Sequence, residues 1–310
     1  MFPGQGSQCV GMGRSLAAVS PAARRVFEEV DEALGERLSA LAFEGPIETL
    51  TLTRNAQPAL LATSIAALRA LEERLGRPLA PGLACVAGHS LGEYSALVAA
   101  GALDLADAAR LLRLRGEAMQ RATPPGTGAM AAILGLEAAV VVTVAAEAAQ
   151  DRVCQLANDN GDGQAVVSGH ADAVERAVAL AKARGARRAV LLQVSAPFHC
   201  ALMAPAAAEL APALETTRFR APAAPLVANV TAEPVTDAEL FPELLTRQVT
   251  GRVRWRESMA TMARLGVDLV LELGAGKVLA GLARRGVPGA RVLTLGEPAE
   301  LDAAAAALAG

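Results

Sequence analysis

Aromatic residues are scarce in this 310-residue chain: one Trp, one Tyr and six Phe, 3% in all. With 53% hydrophobic residues overall, the core must be built mostly from Ala, Val and Leu. Excess charge of either sign is missing too, because 29 basic residues face 32 acidic ones. The formal balance of −3 gives no electrostatic footprint for nucleic acid or an anionic membrane. No apolar run reaches membrane-spanning length, and the N-terminus lacks the charged and apolar regions of a secretory signal. Cysteine is limited to Cys9, Cys85, Cys154 and Cys200, scattered without a C-x-x-C pair or metal-ligand spacing. These absences describe a reduced, cytoplasmic, metal-free protein. Histidine occurs only three times, which shortens any search for a general base.

Against that background, Gly88-His89-Ser90-Leu91-Gly92 fits the pattern G-x-S-x-G. The apolar run Ala84 to Ala87 suits a buried strand ahead of it, and Glu93 to Ala100 reads as helix behind it. A serine on such a strand-to-helix turn projects its hydroxyl clear of the backbone, and the flanking glycines permit the tight geometry.

Helices are predicted over 21–41 and 58–75, the latter with Pro58 in its first turn, and from about Asp107 to Arg121. Beyond Pro124-Pro125-Gly126 the order becomes strand 128–134, helix 137–150, strands 153–158 and 164–168, helix 172–184 and strand 189–194. That β-α-β-β-α-β order is the ferredoxin-like split unit. It predicts an α/β chain in which residues 126–195 form a small ferredoxin-like domain inserted into a larger one, 1–125 with 196–310. Helix 201–215, a strand at 225–230, helix near 237–249, strand 269–273 and a last helix at 302–309 complete the large part.

Serine needs a base to take its proton, and histidine is the usual one near neutral pH. His89 adjoins the serine, but successive side chains diverge at a strand end, so packing at the turn accounts for it. His170 opens a helix, where capping or a surface position suffices. His199 follows the return from the small domain, 109 residues beyond Ser90, and elimination favours it. On the 107–121 helix, Ala108, Leu111, Leu112, Arg115 and Met119 share one face, while Arg110 and Arg113 fall on the solvated one. Arg115 interrupts an apolar stripe, and a guanidinium is rarely buried without an anion. Two accounts stand: an internal salt bridge, or a bidentate clamp for a substrate carboxylate.

Read together, these residues resemble the malonyl-CoA:acyl carrier protein transacylases, and the resemblance covers nearly the whole chain. It is carried by Phe2 to Gln8, Gln57-Pro58-Ala59, Gly88 to Ser95, Arg113 to Gly116, Gly126 to Ala131, Asn158 to Asn160, Phe198 to Met203, Gln248, and Gly274 to Leu279. It implies a hydrolase-like α/β domain with a parallel sheet and a ferredoxin-like insert, acting without a cofactor as a monomer. The roles it implies are Ser90 as nucleophile, His199 as base and Arg115 as holder of the malonyl carboxylate. Gln248 would orient the histidine through an amide or carbonyl in place of an acid. The backbone N–H groups of Leu91 and Gln5 would form the oxyanion hole. Asn158 and Asn160 are similar to asparagines near the substrate entrance, and Arg187 and Arg188 to a basic pair that meets the acyl carrier protein. Phe198, bulky and just before the histidine, is similar to the residue that accompanies malonyl preference.

Two departures stand out. The family has several apolar residues, a first strand, before Phe-Pro-Gly-Gln-Gly, whereas here Met1 precedes Phe2. Either the true start lies upstream or the sheet has lost most of an element, and the placement of Gln5 depends on it. Gly251 stands where the family often has proline, which predicts a looser loop after Gln248. Three other readings compete: a serine thioesterase, a non-catalytic carrier-binding subunit, and a malonyl transferase serving a polyketide or malonate-decarboxylating assembly. Arg115 weighs against the first, and joint retention of Ser90, His199, Arg115 and Gln248 against the second. The glycines at 4–13 and 274–276 fit neither a dinucleotide fingerprint nor a phosphate loop.

Overall fold

The computed structural model describes residues 1–309. A small antiparallel sheet is its most regular part. Strands β1 (Gly128–Leu134), β2 (Cys154–Gly161), β3 (Gln164–His170) and β4 (Arg188–Leu191) lie in the order β2-β3-β1-β4. Helices Ala138–Ala149 and Ala171–Ala183 cover one face. Their apolar stripes meet that face in a separate core rich in Ala and Val, including Ile133, Val141, Val144, Val167 and Val174. The predicted strand 189–194 ends early: Leu192 N–H still bonds Met130 O at 2.8 Å, and the chain then leaves the sheet, with Gln193 and Val194 lining the cavity described below. Gln155, on β2, accepts the Ala201 N–H on its Oε1 at 2.7 Å.

In the large part, short pairings, antiparallel for one strand pair and parallel for the other, replace long ladders. Strand β5 (Leu226–Val227) pairs with β6 (Pro234–Val235), and β7 (Leu269–Leu273) runs parallel to β8 (Arg291–Leu295). Residues 84–88 pair on both sides, through Val86 N–H to Pro225 O (2.9 Å) and Phe2 N–H to Ala87 O (3.0 Å). Met1 and Phe2 therefore fill the slot between that segment and β7, with Leu273 N–H bonded to Met1 O at 3.0 Å. A cavity of about 490 Å³ opens beside this two-residue stub, lined by Leu79, Leu83, Val86 and Leu269 among others. The stub still delivers Gly4 and Gln5 to the site, since Phe2 O accepts from His89 N–H at 3.0 Å.

Two helix predictions need correction. The 21–41 helix is two, Pro21–Leu34 and Leu38–Glu44, because Gly35 takes the left-handed conformation (φ 65°) that closes the first. The 58–75 helix begins at Thr53, so Pro58 lies inside it and not in its first turn. A proline so near the start costs one main-chain bond, and the burial of Asn55, Ala56 and Gln57 beside helix Leu105–Arg121 outweighs that loss.

These two helices cross closely. A Cβ on Gly116 would lie 2.6 Å from Thr53 O and 2.7 Å from Arg54 Cα, so only glycine lets the 105–121 helix approach. We expect Gly116→Ala to lose about 1–3 kcal/mol through overpacking. The urea midpoint should fall with an unchanged m-value, and an unchanged midpoint would show that the crossing yields without cost.

Candidate active site

Ser90 sits where residues 84–88 hand over to helix Gly92–Ala99, with φ at 53°, a left-handed value rare outside glycine. Backbone contact on both sides enforces the turn. A Cβ on Gly88 would lie 1.8 Å from Gly92 O, and one on Gly92 2.3 Å from Phe2 O. Asn229, just past β5, ties the turn down from outside: its Oδ1 accepts Ser90 N–H and its Nδ2 donates to Gly88 O, both at 2.7 Å. His199, across from the serine, is also a non-glycine residue held at positive φ (58°). Strain at two positions that face each other is what a site fixed by its surroundings shows.

Ser90 Oγ and His199 Nε2 are 2.7 Å apart. On the other side of the ring, Nδ1 faces two main-chain carbonyls, Gln248 O at 2.9 Å and Gly251 O at 3.1 Å. Carbonyls only accept, so Nδ1 carries the proton and Nε2 presents its lone pair to the serine hydroxyl. Burial, reinforced by the Arg115 charge, pushes the imidazole down to about 3. Gly251 N–H donates to Arg247 O at 2.8 Å, a bond that proline could not make.

Arg115 is buried, yet it makes no ion pair among the described residues. Its partners are neutral. Nη1 donates to Gln57 Oε1 and Nη2 to Gln248 Oε1, each at 2.7 Å, and Nη2 also reaches Ser90 Oγ at 3.1 Å. The Tyr94 ring lies 5.8 Å from the guanidinium carbon, and Nε has no partner at all. The internal salt bridge considered for this residue is therefore absent. Arg113, assigned to the solvated face, is mostly covered: Nη1 donates to Asn55 Oδ1 at 2.9 Å and Nη2 pairs with Glu36.

A cavity of about 370 Å³ opens over the serine, between the large part and the exposed face of β1–β3. Gln5, Asn158, Asn160, Phe198 and Arg115 all border it with Ser90 and His199. The N–H groups of Gln5 and Leu91 make no hydrogen bond with the described residues. Asn160 Oδ1 is engaged by His89 Nε2 at 3.0 Å, and His89 packs on Trp255, with ring centroids 5.5 Å apart. Arg187 and Arg188 do not join the cavity; they are exposed at the start of β4, with Arg187 against Gly135. Among the described residues no cluster of three His, Cys, Asp or Glu could hold a metal, and all four cysteines are free.

Sequence reasoning gave no role to Gln57, Glu93 or Asn229. Gln57 was one residue of a matching segment, and Glu93 lies three beyond the serine in the same turn. Asn229 had one available signal, a polar side chain inside the predicted strand 225–230 and near its C-terminal end, where α/β sites are built.

A hydrogen-bonded serine–histidine pair, a left-handed turn at the serine and a buried arginine with no ion pair are features of a serine acyl-transfer fold. The family model described as acyl transferase domain matches residues 1–304, and the chain belongs to that family. Within it the similarity runs to the malonyl CoA-acyl carrier protein transacylases. The chain is 48% identical to that enzyme of Escherichia coli (strain K12) over 304 residues, 98% of this chain and 97% of the relative. It resembles the crystal structure of an acyl-carrier-protein-S-malonyltransferase from Bartonella henselae at TM-score 0.96 and 54% identity, covering 100% of this chain and 98% of that one. A malonyl-transacylase in complex with a type II PKS acyl-carrier protein superposes at TM-score 0.94 and 44% identity, over 99% and 98% of the two chains.

A histidine already neutral well below pH 5 predicts a flat acid limb. With an uncharged ester such as p-nitrophenyl acetate, kcat/KM for Ser90 acylation should change less than about twofold from pH 7 to pH 5. A histidine near its ordinary value of about 6.5 would instead lose more than tenfold over that range.

Proposed function

We propose that this chain moves a malonyl group from malonyl-CoA to the phosphopantetheine thiol of an acyl carrier protein, through a malonyl ester on Ser90. One observation carries the choice of acyl group: Arg115, a buried cation without an anion, touches the nucleophile's own oxygen. A carboxylate two carbons beyond the ester carbonyl comes within reach of that guanidinium. There it would exchange the weak contact to Ser90 Oγ for charge-assisted bonds, the unpartnered Nε among the available donors. An acetyl group has nothing to offer this cation and leaves it unpaired.

The chemistry follows from the pair. His199 Nε2 takes the Ser90 proton as Oγ attacks the thioester carbonyl, and the negative charge grows on the carbonyl oxygen. In this reading the free N–H groups of Leu91 and Gln5 receive that oxygen, each donating where no other acceptor competes. The tetrahedral intermediate collapses, the C–S bond breaks, and His199 gives its proton to the departing CoA sulfur. The carrier's thiol then enters, loses its proton to His199 and attacks the ester carbonyl. Its acyl thioester forms as Ser90 Oγ leaves and recovers a proton.

Gln248 holds the base through its carbonyl and the clamp through its side chain. Asn158, Asn160 and Phe198 shape the wall that the acyl chain meets. Arg187 and Arg188 remain a basic pair for the carrier's acidic surface, outside the cavity. No step calls for a cofactor, and one chain supplies every residue, so a monomer suffices. No helix among the described residues is long and apolar enough to cross a membrane, and this reading puts the enzyme in the cytoplasm with its substrates.

Intact-mass spectrometry after brief exposure to malonyl-CoA tests the reading. The wild type should gain one malonyl group that carrier protein discharges, and Ser90→Ala should gain none. Release of free malonate without an adduct would indicate a hydrolase instead. Arg115→Ala should lower kcat/KM for malonyl-CoA by about 3 kcal/mol, or roughly a hundredfold, with little change for an uncharged ester. Equal losses on both substrates would remove Arg115 from acyl recognition.

A further inference from the structure

A cation and a carboxyl group are buried beside the nucleophile, on Arg115 and Glu93, which are 2% and 1% exposed. Burial pushes the Glu93 carboxyl up to about 7, while the Gln248 amide, the Asn229 N–H and the Arg115 charge favour its ionised form. Arg115 and Glu93 form no ion pair, because the side-chain amide of Gln248 lies between them. Its orientation is fixed by what surrounds it. Gln248 Nε2 donates to Glu93 Oε2 at 2.6 Å and to Ser90 O at 2.9 Å, both acceptors only. Its Oε1 must then face Arg115 Nη2, at 2.7 Å. A flipped amide would aim N–H at a guanidinium donor and an oxygen at two acceptors.

Glu93 therefore does more than offset charge. A direct Glu93–Arg115 pair would occupy the guanidinium fork with an internal carboxylate. With the amide inserted, the negative charge still compensates the positive one, while Arg115 keeps Nε unpartnered and Nη2 at the serine. The same carboxylate also accepts the Asn229 N–H, at 3.3 and 3.4 Å from its two oxygens. Asn229 in turn holds the Ser90 and Gly88 main chain. One buried group thus joins the support of the nucleophile to the support of the acyl clamp.

We propose that Glu93 is a positioning residue for acyl selectivity: acting through Gln248, it keeps Arg115 charged, oriented and free for the carboxylate of the incoming acyl group. This rests on the malonyl-transfer reading of the same site. Glu93 touches neither substrate nor reacting atoms in this role.

The test compares kcat/KM for malonyl-CoA with that for p-nitrophenyl acetate, whose acyl group carries no carboxylate. In Glu93→Gln, which preserves size and removes charge, the malonyl-to-acetate ratio should fall at least tenfold. Glu93→Asp, which keeps the charge but withdraws it by one methylene, should lose about threefold. In a Gln248→Ala background the Glu93→Gln change should shift the ratio less than twofold, because the connecting amide is already gone. A ratio unchanged in Glu93→Gln, or a full second loss in the Gln248→Ala background, would overturn the proposal. Should Glu93→Gln fail to fold, Glu93→Asp decides by itself: an unchanged ratio overturns and a threefold loss supports. Failure of the underlying reading is separately visible, since wild-type protein would then take up no malonyl group by mass.

Discussion

Much of this structure depends on placing a guanidinium in the core without pairing it to a carboxylate. Removing a charge of that size from water costs several kcal/mol even after relaxation, and a nearby anion is the usual compensation. Here Arg115 is held by two glutamine carbonyls, a serine hydroxyl and the face of a tyrosine ring. Each is a neutral dipole, weaker than a carboxylate and displaceable in part. The result is a cation that is solvated by protein yet still short of one partner. In the proposed function, that deficit is what an acyl carboxylate would fill, because the substrate would supply what the fold withholds.

The same charge shapes the base. An imidazole buried beside a guanidinium resists protonation, so His199 stays neutral and ready to accept a proton. Its orienting partner is consistent with this. Two main-chain carbonyls fix the Nδ1–H tautomer without bringing a formal negative charge against the ring. An aspartate in their place would repel a dianionic-like arrangement of acyl carboxylate and growing oxyanion nearby. Neutral orientation and a lone cation are thus two sides of one electrostatic choice, and Glu93 sits behind Gln248, whose amide separates it from Arg115.

Geometry is enforced by backbone crowding rather than by large side chains, as suits a chain with so few aromatics. Gly88, Gly92 and Gly116 each bring main chain within a distance that a Cβ would forbid. The first two set the nucleophile turn, and the third seats the helix that carries Arg115. The cavity itself belongs to neither part of the chain alone. The large part supplies Ser90, His199 and Arg115, while Asn158, Asn160 and Met130 come from the small sheet. Val253 locks the two together by pairing with β2, through Val253 N–H to Ala157 O and Asp159 N–H to Val253 O.

The sequence by itself determined the local elements and the reactive pair. The boundaries of β1 and β7 were legible because short apolar runs and their flanking turns are encoded over a few residues. The serine turn was legible because its glycines and serine are contiguous, and Arg115 because it breaks an apolar stripe on one helix. Tertiary structure decided what distant main chain does. Nothing in a linear pattern says that Gln248 meets His199 with its carbonyl and Arg115 with its amide, or that Asn229 holds the Ser90 backbone. The helix start at Thr53 was equally illegible, since its residues are ordered by burial against the 105–121 helix and not by propensity. Such contacts arise only when segments distant in the chain share one desolvated volume, where each polar group must find a partner or remain, like Arg115 Nε, conspicuously without one.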